Sequence, residues 1–134
     1  MAGQIQNGYA FEYATGTALV NELLTLKKNI SFVLNDSYTA RKMHFDSLPL
    51  TIQKKFNDFG ILAAKEIIIC ENLQSVKGEM TLAFQSDNLG KSGDIRDLLL
   101  SFSNRKIPLG LSCKNNNESA KHSRISENND LVRD

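Results

Sequence analysis

The sequence predicts an α/β fold, on three observations. The N-terminal half carries long stretches with apolar residues at helical spacing. Shorter runs of strand character follow, beginning at Met80-Thr81-Leu82-Ala83-Phe84-Gln85, where the large apolar residues alternate. Two of these runs flank the turn Ser103-Asn104-Arg105-Lys106, which closes a hairpin. With 134 residues, of which 41% are hydrophobic and 23% charged, the composition is that of one folded domain.

The elements follow in order. From Met1 to Lys28, Tyr9, Tyr13, Val20, Leu23, Leu24 and Lys27 recur at spacings near three, four and seven, which predicts a first helix. Gly16 within it marks a close approach to another element. Asn29 to Ser47 is mixed and polar. Ile30 to Leu34 is too short to assign, Asn35-Asp36-Ser37 reads as a turn, and His44 falls in a polar loop. Ser47 reads as an N-cap with Pro49 in the first turn of a second helix. The apolar face of that helix would be Leu48, Ile52, Phe56, Phe59 and Leu62 or Ala63. Lys65 to Cys70 either extends it or forms a short strand.

After the strand at Met80–Gln85 and a glycine-containing loop at Asn88–Asp94, Asp97–Phe102 and Ile107–Cys113 form the two arms of the hairpin. Residues 1–125 are the expected core, and 126–134, nearly devoid of apolar residues, an unstructured tail. Cys70 and Cys113 each end an apolar run and are expected to be buried free thiols; neither has zinc-ligand spacing. No charged-then-apolar leader opens the chain and no apolar run approaches the roughly 18 residues of a spanning helix. A cytoplasmic location with no membrane partner is therefore expected. The net charge of +1 gives no argument for nucleic acid, but between Asn104 and Arg124 five basic residues meet a single acid, Glu118.

The hairpin carries the chemistry. With its turn centred on Asn104-Arg105, Asp97 falls opposite Ser112, and directly opposed residues share a face. Ile107, Leu109, Leu111 and Cys113 would then form the apolar face, while Asp97, Ser112 and Lys114 converge on the polar one. Gly110 leaves room there for a substrate backbone. A phosphodiester repels an anionic nucleophile. A carboxylate can hold Mg²⁺, which neutralises the phosphate and acidifies bound water. A lysine beside it can orient that water or stabilise phosphoryl oxygens in the transition state. Taken singly, Asp97 reads as a turn or capping aspartate and Lys114 as a solvated edge lysine. Their convergence on one face of the hairpin points to a metal-dependent nuclease.

The hairpin with Asp97 and terminal Lys114 resembles the PD-(D/E)xK nuclease core, although Ser112 stands where an acid is usual. Gly93-Asp94-Ile95-Arg96-Asp97, then Leu109-Gly110-Leu111-Ser112-Cys113-Lys114-Asn115-Asn116 and Ala120-Lys121-His122-Ser123-Arg124-Ile125-Ser126, are similar to the HaeIII family of type II restriction endonucleases. So is Asn7-Gly8-Tyr9-Ala10-Phe11-Glu12-Tyr13-Ala14 near the N-terminus. The resemblance implies a restriction-endonuclease-like mixed sheet with two N-terminal helices packed on it. It also implies Mg²⁺-dependent hydrolysis of double-stranded DNA at GGCC, a homodimer among the assemblies allowed, and a cognate methyltransferase as genetic partner. Asp97 and Lys114 would be the core catalytic pair. Glu12 would be an auxiliary acid on the opening helix, and Asp97, Glu12 and Asp94 the metal ligands, with Asp94 and Asp97 both open as the principal one. Lys121, His122, Arg124 and Asn116 would meet DNA, arginine being suited to the O6 and N7 acceptors of guanine. Family members run on well beyond the Lys121–Arg124 signature, whereas this chain ends at Asp134, so a truncated form is expected. A non-catalytic DNA-binding module and a small interaction protein stand as the alternatives.

Overall fold

A computed structural model describes the backbone of residues 2–85, 98–116 and 119–126, and the side chains of 8–85 and 98–111. Three helices and five strands are described: α1 (Ala2–Thr25), β1 (Asn29–Phe32), α2 (Asp36–Asp46), α3 (Leu50–Cys70), β2 (Glu79–Phe84), β3 (Leu98–Phe102), β4 (Leu109–Asn116) and β5 (Ser119–Ser126). The strands form one mixed sheet in the order β1-β2-β3-β4-β5. β1 runs parallel to β2, and every other neighbouring pair is antiparallel. A parallel neighbour needs a long crossover, which here is made by α2 and α3. The result is an α/β, restriction-endonuclease-like architecture.

Alternation builds the inner face. Met80, Leu82 and Phe84 on β2 are buried, as are their ladder partners Phe102, Leu100 and Leu98 on β3, and then Leu109 and Leu111 on β4. Against these pack Leu19 and Leu23 of α1 and Ala64, Ile67 and Ile68 of α3. A second cluster, with Ala10, Phe11, Ala14, Phe45, Phe56 and Ala63, joins the three helices to one another. Gly16 does mark a close approach: a β-carbon there would meet Phe84 at 3.0 Å and Phe32 at 3.4 Å. Gly60 is tighter still. Its absent β-carbon would lie 2.7 Å from both the carbonyl carbon and oxygen of Ala14, so α1 and α3 cross backbone against backbone. Gly60→Ala is expected to destabilise the fold by about 1–3 kcal/mol through overpacking. Urea unfolding checks this, and an unchanged midpoint would mean that the crossing is loose.

Several expectations need correction. The stretch expected as a polar loop contains helix α2. Asn35 does not begin a turn; it caps α2, its side-chain oxygen accepting from the Tyr38 N–H at 2.9 Å. Arg41 sits on the buried face of α2 with Phe45, and a buried arginine hides an amphipathic pattern from a hydrophobicity reading. Ser47 is the C-cap of α2, and Pro49 precedes α3 with no side-chain cap. Lys65–Cys70 continues α3 as helix. Starting at Leu50, α3 turns Phe56, Gly60, Ala63, Ala64, Ile67 and Ile68 inward. That leaves Ile52 and Leu62 exposed by 37% and 61%, and carries Cys70 to the exposed side, so it is not a buried thiol. The side chain of Cys113 lies outside the described residues. Ile107 precedes β4 and is exposed, not part of the inner face. The polar stretch after Asn116 returns as the fifth strand. Of the expected tail, 126–134, Ser126 ends β5, and residues 127–134 lie outside the described residues.

Candidate active site

The site is built at the end of the sheet where β2 finishes and β3 begins. Residues four apart on a helix share a face, so Glu12 lies one turn N-terminal to Gly16. Since Gly16 contacts the ring of Phe84, the last residue of β2, Glu12 belongs to the same end of the sheet. There it meets Arg41 of α2. Arg41 Nε donates to Glu12 Oε1 at 2.7 Å, and both residues are buried, Arg41 to 5% exposure and Glu12 to 9%. The other guanidinium nitrogens donate to backbone carbonyls: Nη1 to Ser37 at 3.3 Å and Nη2 to Gln85 at 2.9 Å. A buried ion pair persists when its remaining donors are satisfied in this way. The guanidinium also lies 4.4 Å from the centre of the Tyr9 ring and 5.5 Å from that of Phe84. Tyr9 in turn packs against His44, ring centres 5.0 Å apart, so His44 is a helical residue at this site and not a loop residue.

Beside the pair, Tyr13 packs on Tyr38 and Phe45. Burial, aided by its hydrogen bond with Tyr38, raises the Tyr13 phenol from 10.0 to about 12. The neutral phenol therefore favours the folded state below its unfolded value, and this contribution is lost as the pH rises toward 12. A tyrosinate absorbance step near pH 12 that disappears in Tyr13→Phe is expected. Complete titration around pH 10 would contradict it.

The hairpin has the register on which the sequence argument rests. Leu98 pairs with Leu111, Leu99 with Gly110 and Leu100 with Leu109. Asp97 and Asp94 lie outside the described residues. Lys114 and Asn116 are on β4; Lys121, His122 and Arg124 are on β5; the side chains of all five lie outside the described residues. Their backbone register divides what the sequence presents as one basic run. Lys121 is the ladder partner of Lys114, and Ser123 of Ser112; His122 pairs with Cys113, and Arg124 with Leu111. The two lysines thus stand opposite each other, whereas His122 and Arg124 occupy the alternate positions. Arg41 is the residue that sequence reasoning missed. Its signal was present in the spacing of Tyr38, Arg41 and Phe45 behind the Asn35 cap.

Among the described residues, no group of three or more His, Cys, Asp or Glu side chains is close enough to hold a metal ion. Of the candidate ligands only Glu12 is described, and its carboxylate is buried and paired with Arg41 at 2.7 Å; Asp94 and Asp97 lie outside the described residues. No helix among the described residues is long and apolar enough to cross a membrane.

The mixed sheet and the helices packed on it have the architecture of the restriction-endonuclease class. Within that class, residues 8–133 match the family model of the HaeIII restriction endonuclease, and the chain belongs to that family. Over 129 residues it is 34% identical to the Type II restriction enzyme HaeIII of Haemophilus aegyptius, an alignment covering 93% of this chain. The chain spans 39% of the length of that relative. No solved structure matches.

Proposed function

We propose that this chain carries the cleavage centre of a Mg²⁺-dependent type II restriction endonuclease that hydrolyses double-stranded DNA at GGCC in the cytoplasm, working as a homodimer. The observation that carries the reading is the β3–β4 register, because it is the one under which Asp97 and Lys114 serve a single phosphodiester. In this reading Asp97 is the principal carboxylate, with Asp94 and Glu12 as further ligands. Bound Mg²⁺ would lower the pKa of a water and neutralise the phosphate. Lys114 orients the attacking water and stabilises charge on the phosphoryl oxygens. Arg41 holds the Glu12 carboxylate in place at 2.7 Å.

The remaining basic residues divide by register. Lys121 is the ladder partner of Lys114, and that register supports Lys121 as a contact to the DNA backbone. Arg124, His122 and Asn116 are assigned to the DNA interface on the family resemblance, with Arg124 the residue chemically suited to guanine.

The test is incubation with supercoiled plasmid containing GGCC, with and without Mg²⁺, beside a plasmid lacking the sequence. Discrete fragments from the first plasmid alone, dependent on Mg²⁺, are expected. A second reading, a DNA-binding module without cleavage, is favoured by the neutral Ser112 at the position where an acid is usual in the resembled core. Binding weakened by salt, with no cut in either plasmid, would establish it instead.

A further inference from the structure

We infer that the outer face of α3 is a dimerisation surface, on which a second copy of this chain lays the same helix antiparallel about a two-fold axis. The inference rests on the homodimer of the reading above and gives it a surface. It uses none of the residues assigned to cleavage.

A helix that packs one face on a core ordinarily shows polar residues on the other. Helix α3 does not. Its inward face is Phe56, Gly60, Ala63, Ala64, Ile67 and Ile68. On another side Ile52, Leu62 and Ile69 are exposed, Leu62 by 61% and Ile69 by 72%, and Phe59 is only partly buried. With the exposed Lys55 and Glu66, these residues fall at positions 52, 55, 59, 62, 66 and 69, so the intervals alternate between three and four. That is the spacing of a coiled-coil seam, and it runs along most of the helix.

The order of residues in the stripe selects the occupant. In an antiparallel pair Ile52 meets Ile69 of the second copy, Lys55 meets Glu66, and Phe59 meets Leu62. Each apolar residue finds an apolar one and each charge finds its opposite, and the two-fold repeats every pair. On the outer flank, Asp58 and Lys65 are brought toward each other across the pair as well. A parallel pair does the reverse, setting Lys55 against Lys55 and Glu66 against Glu66, so the pattern also works against the wrong orientation. An unrelated partner gives no reason for this symmetry.

The experiment is sedimentation equilibrium on the whole chain without DNA, over a concentration series reaching about 0.1 mM, with circular dichroism melting to show that each variant folds. The unsubstituted chain is expected to dimerise. Leu62→Glu should weaken the dimer about 100-fold with melting unchanged, because the two-fold removes two apolar contacts at once. Ile61→Glu, exposed on α3 but outside the stripe, should leave the dimer intact. Lys55→Glu and Glu66→Lys should each weaken it about tenfold, since each opposes two pairs of like charges. Together they exchange the charges and should restore it. Should either charge variant fail to fold, Leu62→Glu against Ile61→Glu carries the test. A dimer that survives Leu62→Glu, or that the folded double charge variant does not restore, overturns this surface and leaves the homodimer to another face. A chain monomeric throughout the series overturns the surface and the homodimer together. Cleavage of the GGCC plasmid is read separately and bears only on the nuclease chemistry.

Discussion

Lys114→Ala is expected to slow cleavage of a GGCC duplex by about 10²–10³-fold, the loss typical when one preorganised donor to a developing anion is removed. Duplex binding in Ca²⁺ should persist, since phosphate contacts are spread over many residues. The physical ground is the position of Lys114 on β4, three residues beyond Leu111 and therefore past the last described pair with β3. Asp97→Asn is expected to abolish detectable cleavage by removing the proposed principal metal ligand. The two losses should not add, because a lysine that orients a metal-bound water has nothing to act on once the metal is gone. A double variant much slower than Asp97→Asn alone would contradict a shared site. Cleavage persisting in either single variant would remove that residue from the chemistry.

Breaking the buried ion pair is expected to have the largest effect on stability. Arg41→Met leaves the Glu12 carboxylate buried without its guanidinium, and removing one partner of such a pair costs about 3–5 kcal/mol. That is a large share of the roughly 5–15 kcal/mol that holds a domain of this kind together. The combined Glu12→Leu/Arg41→Met change leaves no buried charge behind, and it should be clearly less damaging than Arg41→Met alone. Urea midpoints of the single and double variants decide the matter. Equal loss in both would show that the rings and backbone carbonyls around Arg41, not its charge pairing, dominate its contribution. By contrast, the exposed pairs Lys42–Asp46 and Lys54–Asp58 are open to solvent, and their removal should be nearly silent.

How much of this was legible depended on which residues carried the pattern. The β3–β4 register could be read because a polar turn separates two runs whose apolar residues alternate inward, and alternation leaves little freedom to slip. Helix α1 was legible for a similar reason, and Gly16 signalled its contact with Phe84. Helix α2 was not, since its inward residues include Arg41, which a hydrophobicity reading places in solvent. Neither was β5: Lys121, His122, Ser123 and Arg124 have no apolar alternation, and the strand is specified by pairing with β4. Ser47 misled because a serine before a proline has the look of a helix start, whereas its hydroxyl donates to His44 at the end of α2. Of the site, the candidate acid Glu12 was visible in the sequence through family resemblance. The spacing of Tyr38, Arg41 and Phe45 hints at an inward Arg41, but its pairing with Glu12 could not be read there, because the two meet only after α2 folds back over α1.

The proposed cleavage centre shares one divalent cation at the end of the sheet between the start of β3 and the far part of β4. Fe²⁺ with ascorbate, which cuts the polypeptide backbone where the ion sits, tests it most directly. Cuts near Asp97 and between Ser112 and Lys114, suppressed by Mg²⁺, are the expected result. Cuts confined to other segments, or cuts indifferent to Mg²⁺, would contradict it.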